Sequence, residues 1–179
     1  MPMPSLRPLA AILVGAVLLQ PAFAASDSLA RGAYLVHTGG CADCHTPMKM
    51  GPKGPEPDLG LGLSGHPQDM ALPPAPAPSG PWIWGGSVSM TAFYGPWGIS
   101  YSANLTPDKQ TGIGNWTREQ FVQAMKTGKH PGNGRPILPP MPWPSLSQMT
   151  DRDLKAIYAF LMAQPAVKNA VPANQPPAH

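Results

Sequence analysis

Charge is scarce in this sequence: Asp, Glu, Lys and Arg make up 12% of its 179 residues, about half the usual share. The 12 Lys and Arg are dispersed and the net charge is +3, so no basic cluster offers a nucleic-acid footprint. Cysteine is almost missing, and two residues cannot build a disulfide-dense scaffold. Long apolar runs are missing too. The longest, residues 9–19, is well short of the ~20 residues that span a bilayer. No internal repeat is present, which removes solenoids and coiled coils. Proline and glycine, by contrast, are abundant: 26 and 19 residues, a quarter of the chain. Against this stand 42% hydrophobic residues, enough for the core of one ordinary domain.

The first residues read as an export signal. Arg7 is the lone charge, the apolar run 9–19 follows, and Ala22-Phe23-Ala24 supplies a small-x-small cleavage site. Residues 1–24 are therefore expected to be a signal peptide directing the protein to the periplasm, with a membrane tether if it stays uncleaved. No membrane span is expected in the mature chain. Without Arg7 the mature chain carries 11 basic and 9 acidic side chains. Encounters with a partner should then depend only modestly on salt. Export also places both cysteines in an oxidising compartment.

Residues 25–172 form the expected domain, with 173–179 as a flexible tail. A first helix fits residues 29–37, stopped by Gly39-Gly40. Thr117-Arg118-Glu119-Gln120 fits a capping box leading into Phe121, Val122 and Met125, with Gly128 as the stop. The last helix opens at Thr150-Asp151-Arg152-Asp153. Leu154, Ile157, Tyr158 and Leu161 follow at i, i+3, i+4, i+7, and Pro165 closes it. From Ala166 the chain is expected to fray. Tyr34 with Tyr158, and Leu35 with Leu154 or Leu161, are expected in the core between the end helices. Residues 51–98 hold 10 Pro and 10 Gly and cannot be helical, so they read as a Pro/Gly-rich loop insertion. Its later part carries Trp82, Trp84, Phe93, Tyr94 and Trp97, which require an apolar surface to pack against.

Cys41-Ala42-Asp43-Cys44-His45 is Cys-x-x-Cys-His, the signature of covalent c-type haem attachment. Two thiols at this spacing in one turn can each reach one of two adjacent vinyl groups and form thioethers. The following histidine then lies beneath the ring and can meet the iron. Three other uses compete: a dithiol redox site, which normally sits on a βαβ frame; a zinc site, which needs further ligands; and a structural disulfide, which leaves His45 idle. For a distal ligand, Met141 stands out within Pro139-Pro140-Met141-Pro142-Trp143, where flanking prolines fix the backbone. Met149 is its rival near the last helix, and His130 is a further option that reads more simply as an exposed loop residue. Met125 and Met162 suit a core, while Met48 and Met50 are too near His45 to reach the opposite face. Trp116 and Trp143 could donate indole N–H groups to haem propionates, and Arg135 could pair with one. His37 reads as a surface residue, and His66 and His179 as loop and tail.

Cys41 to His45, the Pro-Met-Pro-Trp element around Met141 and a terminal amphipathic helix, in that order, resemble monohaem class I cytochromes c. Ser102-Ala103-Asn104-Leu105-Thr106-Pro107-Asp108, Thr111-Gly112-Ile113-Gly114-Asn115-Trp116 and Pro140-Met141-Pro142-Trp143 narrow the likeness to haem domains of bacterial cytochrome subunits serving periplasmic dehydrogenases. Those subunits often carry three haem motifs, and this chain has one. The resemblance implies an all-α globule with crossed first and last helices near a haem edge. It also implies one covalent haem c and a His45/Met141-ligated iron. The function expected is single-electron transfer between a dehydrogenase or respiratory donor and an acceptor such as a respiratory complex or terminal oxidase, with no catalytic residues of its own. The alternatives are a haem with a labile sixth ligand that binds a small gas or peroxide, and a thiol–disulfide oxidoreductase.

Overall fold

A computed structural model describes residues 20–76 and 80–177, with side chains from Ser28 onward. Most of the expected signal peptide, residues 1–19, lies outside them, as does His179. Among the described residues, five α-helices, five short strands and one 3-10 turn (Leu59–Leu61) follow one another. The first helix, α1 (Gln20–Thr38), starts earlier than expected and ends where Gly40 takes a left-handed conformation with φ of 65°. The one-turn helix α2 (Cys41–His45) follows at once. Helix α3 (Arg118–Thr127) has the expected capping box, with reciprocal bonds between Thr117 and Gln120, and ends at left-handed Gly128. After the single-turn α4 (Trp143–Leu146), α5 (Asp151–Met162) begins at Thr150, whose hydroxyl accepts from the Asp153 N–H.

The core lies where α1, α3 and α5 meet. Leu35 and Val36 of α1, Phe121, Val122 and Met125 of α3, and Leu154, Ile157 and Leu161 of α5 form one buried cluster. Helices α1 and α5 approach so closely that a Cβ placed on Gly32 would overlap the Ala156 carbonyl oxygen. The Tyr34–Tyr158 pair expected there does not form. Tyr34 is 58% exposed, with Arg31 over its ring. Tyr158 packs instead on Phe121 and donates its hydroxyl to the Trp116 carbonyl at 2.6 Å.

The expected all-α architecture is corrected: helices share the fold with two antiparallel sheets. One is the hairpin of β1 (Met48–Gly51) and β2 (Gly54–Pro57); the other orders β3 (Gly85–Gly86), β4 (Ala92–Gly95) and β5 (Gly98–Tyr101). Proline forbids a helix in residues 51–98, but a two-stranded ribbon tolerates it where no ladder N–H is required. Pro55 and Pro57 accordingly sit opposite Met50 and Met48. Gly98, at φ of 94°, ends the tight β4–β5 turn after Pro96-Trp97.

The Pro/Gly-rich insertion is anchored from within. His66 lies in a loop, as expected, but is fully buried there. Its ring meets the Met70 carbonyl through Nε2 at 3.1 Å and the Thr91 hydroxyl through Nδ1 at 2.9 Å. Because a carbonyl can only accept, Nε2 carries the proton and Nδ1 accepts from Thr91, which is also bonded to Ser89. Phe93 is buried and Trp97 half-buried, whereas Trp82 is 79% exposed and Trp84, 50% exposed, has its ring centroid 6.4 Å from that of Phe93.

The segment after Pro165, expected to fray, is instead stitched to the body. Buried Asn169 donates to the Ser64 and His66 carbonyls and accepts from the Gln68 N–H. Further on, Gln175 bridges Ile99 in both directions, and the Asn174 side chain accepts from the Tyr101 N–H.

Candidate metal centre

Gly39-Gly40 breaks α1 and lets α2 turn back beneath it, so the Cys-x-x-Cys-His run becomes a single helical turn. Cys41 and Cys44 are free thiols, each half-buried. Burial pushes both thiols above their ordinary pKa, and the Asp43 carboxylate adds to this at each. Redox-active thiols need the opposite, a lowered pKa and an electropositive setting. The local electrostatics thus disfavour dithiol exchange. Among the described residues, no group of three or more His, Cys, Asp or Glu side chains gathers as a metal cluster, so the donor set of a closed zinc site is not assembled.

His45 is buried, and its Nδ1 lies 2.8 Å from the Ala103 carbonyl oxygen. Burial lowers its pKa, which keeps the ring neutral. The Ala103 carbonyl can only accept, so Nδ1 carries the proton and the lone pair sits on Nε2. The Ala103 segment is held in turn. Its neighbour Ser102 accepts from the His66 N–H, and the Gly65 N–H donates to the His45 carbonyl. Asn104 is buried, with its Oδ1 accepting from the Thr106 N–H and hydroxyl and its Nδ2 donating to the Val167 carbonyl.

The structure therefore brings Cys41, Cys44 and His45 together on one turn. Met141 packs, half-buried, against the same core as Cys41, alongside Trp116 and Ile137. Its loop is tied at Ile137, whose N–H donates to the Gly128 carbonyl at 2.7 Å. Met149 reaches that core too, and its carbonyl accepts from Lys126. Trp143 lies against Gly128, where an added Cβ would strike its indole. Arg135 is exposed, with one guanidinium nitrogen 3.4 Å from Nε2 of His130. His130 is not an exposed loop residue: it is half-buried and edge-on to Trp116, with ring centroids 6.0 Å apart. His37 is at the surface as expected.

A c-type haem, the group this motif implies, fits the donor set. Two unpaired thiols three residues apart adjoin a neutral imidazole whose Nε2 takes no hydrogen bond from the described residues. The sequence alone does not mark His66 or Asn169 as supports, because each is a polar residue in a stretch with no helical or strand period.

No protein-family model matches the chain. It is 44% identical over 80 residues, 45% of its length, to a subunit of nicotinate dehydrogenase from Pseudomonas putida, covering 7% of that protein. Over 144 residues, 80% of the chain, it is 32% identical to the fructose dehydrogenase cytochrome subunit of Gluconobacter japonicus, covering 23% of it. Over 139 residues, 77% of the chain, it is 34% identical to the gluconate 2-dehydrogenase cytochrome c subunit of Pantoea cypripedii, covering 24% of it. The chain thus spans about a quarter or less of the length of the curated relatives it matches. Over most of its own length, it is a homologue of the cytochrome c subunits of bacterial dehydrogenases.

Proposed function

We propose that the chain is a periplasmic electron-transfer protein with one covalently attached haem c, whose iron His45 and Met141 would ligate. When bound, the haem supplies one-electron Fe(III)/Fe(II) cycling. Cys41 and Cys44 would hold it through thioethers. His45, oriented by Ala103, would hold the iron through Nε2, and its Nδ1–H bond raises the basicity of that nitrogen. Met141 would supply a thioether sulfur from the proline-rich loop, which packs against the α1–α3–α5 core. Trp116, Trp143 and Arg135 would line the pocket.

The observation that carries the reading is the buried His45 ring, fixed by a carbonyl 58 residues away and sharing one turn with two free thiols. The redox partner would be a dehydrogenase, as the names of the relatives suggest, with a respiratory complex or terminal oxidase downstream. The protein would perform no substrate chemistry of its own. Residues 1–24 would be the signal peptide for export. Among the described residues, no helix is long and apolar enough to cross a membrane.

The test is the absorption spectrum of the exported protein, oxidised and reduced, beside Met141→Ala. Sharp low-spin ferrous bands and a weak red ferric charge-transfer band that Met141→Ala abolishes support the proposal. A covalent haem with a high-spin ferric spectrum, indifferent to Met141, would move the assignment to a ligand-binding haem.

A further inference from the structure

Strands β3 and β4 lie in the 51–98 insertion and β5 leads out of it, and the sheet they form touches the loop that carries Met141. Ser100 of β5 is buried and its hydroxyl is 2.5 Å from the carbonyl oxygen of Pro139. The Phe93 carbonyl is 3.4 Å from the same hydroxyl. A hydroxyl has one proton to give, and the shorter contact takes it. On its other side, Ser100 Oγ accepts from the Trp97 indole N–H at 3.2 Å. Trp97 sits in the β4–β5 turn, so the hairpin orients the hydroxyl toward the loop.

The loop has few other ways to be held. Pro139, Pro140 and Pro142 have no N–H to donate, which leaves Met141 as the sole backbone donor from 139 to 142. That N–H closes a local turn onto the Leu138 carbonyl at 3.3 Å. Among the described residues, the Ser100 bond is the only side-chain hydrogen bond received by residues 138–142. Fixed proline φ angles transmit a constraint at the Pro139 carbonyl to Met141 two residues on.

We infer that Ser100, oriented by Trp97, is a positioning residue that sets how firmly Met141 is presented. This inference rests on the proposed ligation by Met141. The β3–β4–β5 sheet would then act as a buttress for the Met141 loop. It acts on the competition between Met141 and other ligands and leaves haem attachment at Cys41 and Cys44 untouched.

The experiment titrates imidazole into the ferric holoprotein for the wild type, Ser100→Ala, Ser100→Thr, Trp97→Phe and Met141→Ala, following the main haem absorption band in all five and the red charge-transfer band wherever it is present. Ser100→Ala should bind imidazole roughly tenfold more tightly, the scale of one lost hydrogen bond. Ser100→Thr, which keeps the hydroxyl, should return close to wild type, and Trp97→Phe should gain a few-fold. A purely structural role would lower the unfolding midpoint without this pattern of rescue. Unchanged imidazole affinity in both Ser100→Ala and Trp97→Phe, with Met141→Ala strongly raised, overturns the inference and leaves the Met141 ligation standing. Should Ser100→Ala fail to fold, Trp97→Phe decides alone by the same criterion. An unaltered band and affinity in Met141→Ala overturns both.

Discussion

The Nδ1 atom of His45 and the carbonyl oxygen of Ala103 are 2.8 Å apart, joining the Cys-x-x-Cys-His turn to a segment 58 residues away. A backbone carbonyl cannot be mutated, but its placement can. Asn104 follows Ala103 and is buried, bonded to Thr106 and to the Val167 carbonyl.

Asn104→Ala would leave the Thr106 N–H and the Val167 carbonyl without this side-chain partner. The Val167 carbonyl keeps a bond from the Thr106 hydroxyl, so the Thr106 N–H is the buried group left unpaired and the loss should be about 1–3 kcal/mol. Thermal unfolding should then begin roughly 2–12 °C lower. If Asn104 also steadies the Ala103 carbonyl, the weakened His45 bond should shift the reduction potential to more positive values. Calorimetry and redox titration of the holoprotein check both effects. A stability loss with an unmoved potential would confine Asn104 to the fold.

Gly32→Ala tests the helix crossing. The new Cβ would overlap the Ala156 carbonyl oxygen and fall 2.8 Å from Cβ of Phe160, both parts of α5 that cannot swing aside. Overpacking of this kind costs about 1–3 kcal/mol. The denaturation midpoint should fall accordingly, while Gly60→Ala, whose added carbon would meet only the Asp58 carboxylate at 3.4 Å, should not share this steric cost. Equal destabilisation at both positions would argue against a close crossing.

Trp82 gives the opposite expectation. Its side chain is 79% exposed in a stretch where bulky aromatics suggested packing. Trp82→Ser should therefore change stability by less than about 0.5 kcal/mol. Chemical denaturation monitored by circular dichroism would reveal a larger loss if the indole were buried against the body.

Helices α5 and α3 were legible because Leu154, Ile157 and Leu161 recur at helical spacing and because Thr117 and Gln120 announce a cap locally. The Cys41-to-His45 turn was legible for the same reason: its chemistry is written in five consecutive residues. What escaped depends on distant partners. The Pro- and Gly-rich stretch shows plainly that it is not helical, but strand pairing such as Gly85 with Tyr94 leaves no local pattern in two-residue strands. Asn169 looks like any tail asparagine until its amide is seen between Ser64, His66 and Gln68, about a hundred residues away. His66 likewise draws its role from Thr91 and Met70 and not from its neighbours.

His130 carries a prediction about pH. Burial against the body, then the charge of Arg135, push its pKa from 6.5 down to about 4. Arg135 bonds toward Nε2, Trp116 covers the ring edge-on, and Gln120, Gln123 and Lys129 line the groove beside it. In the unfolded chain the ring takes a proton near its ordinary value. Between about pH 4 and 6.5 the unfolded state therefore binds more protons, and stability rises with pH across that window. A shift of this size could reach about 3 kcal/mol, but the ring is partly open to solvent, so about 1–2 kcal/mol is expected. His45 and His66 are also lowered by burial and add slopes of the same sign. Comparing wild type with His130→Gln by denaturant titration between about pH 4 and 7 removes those shared contributions. The stability difference between the two proteins should shift by about 1–2 kcal/mol in favour of wild type as the pH rises. A difference that stays constant across the range would mean that the folded protein takes up a proton at His130 as readily as the unfolded chain does.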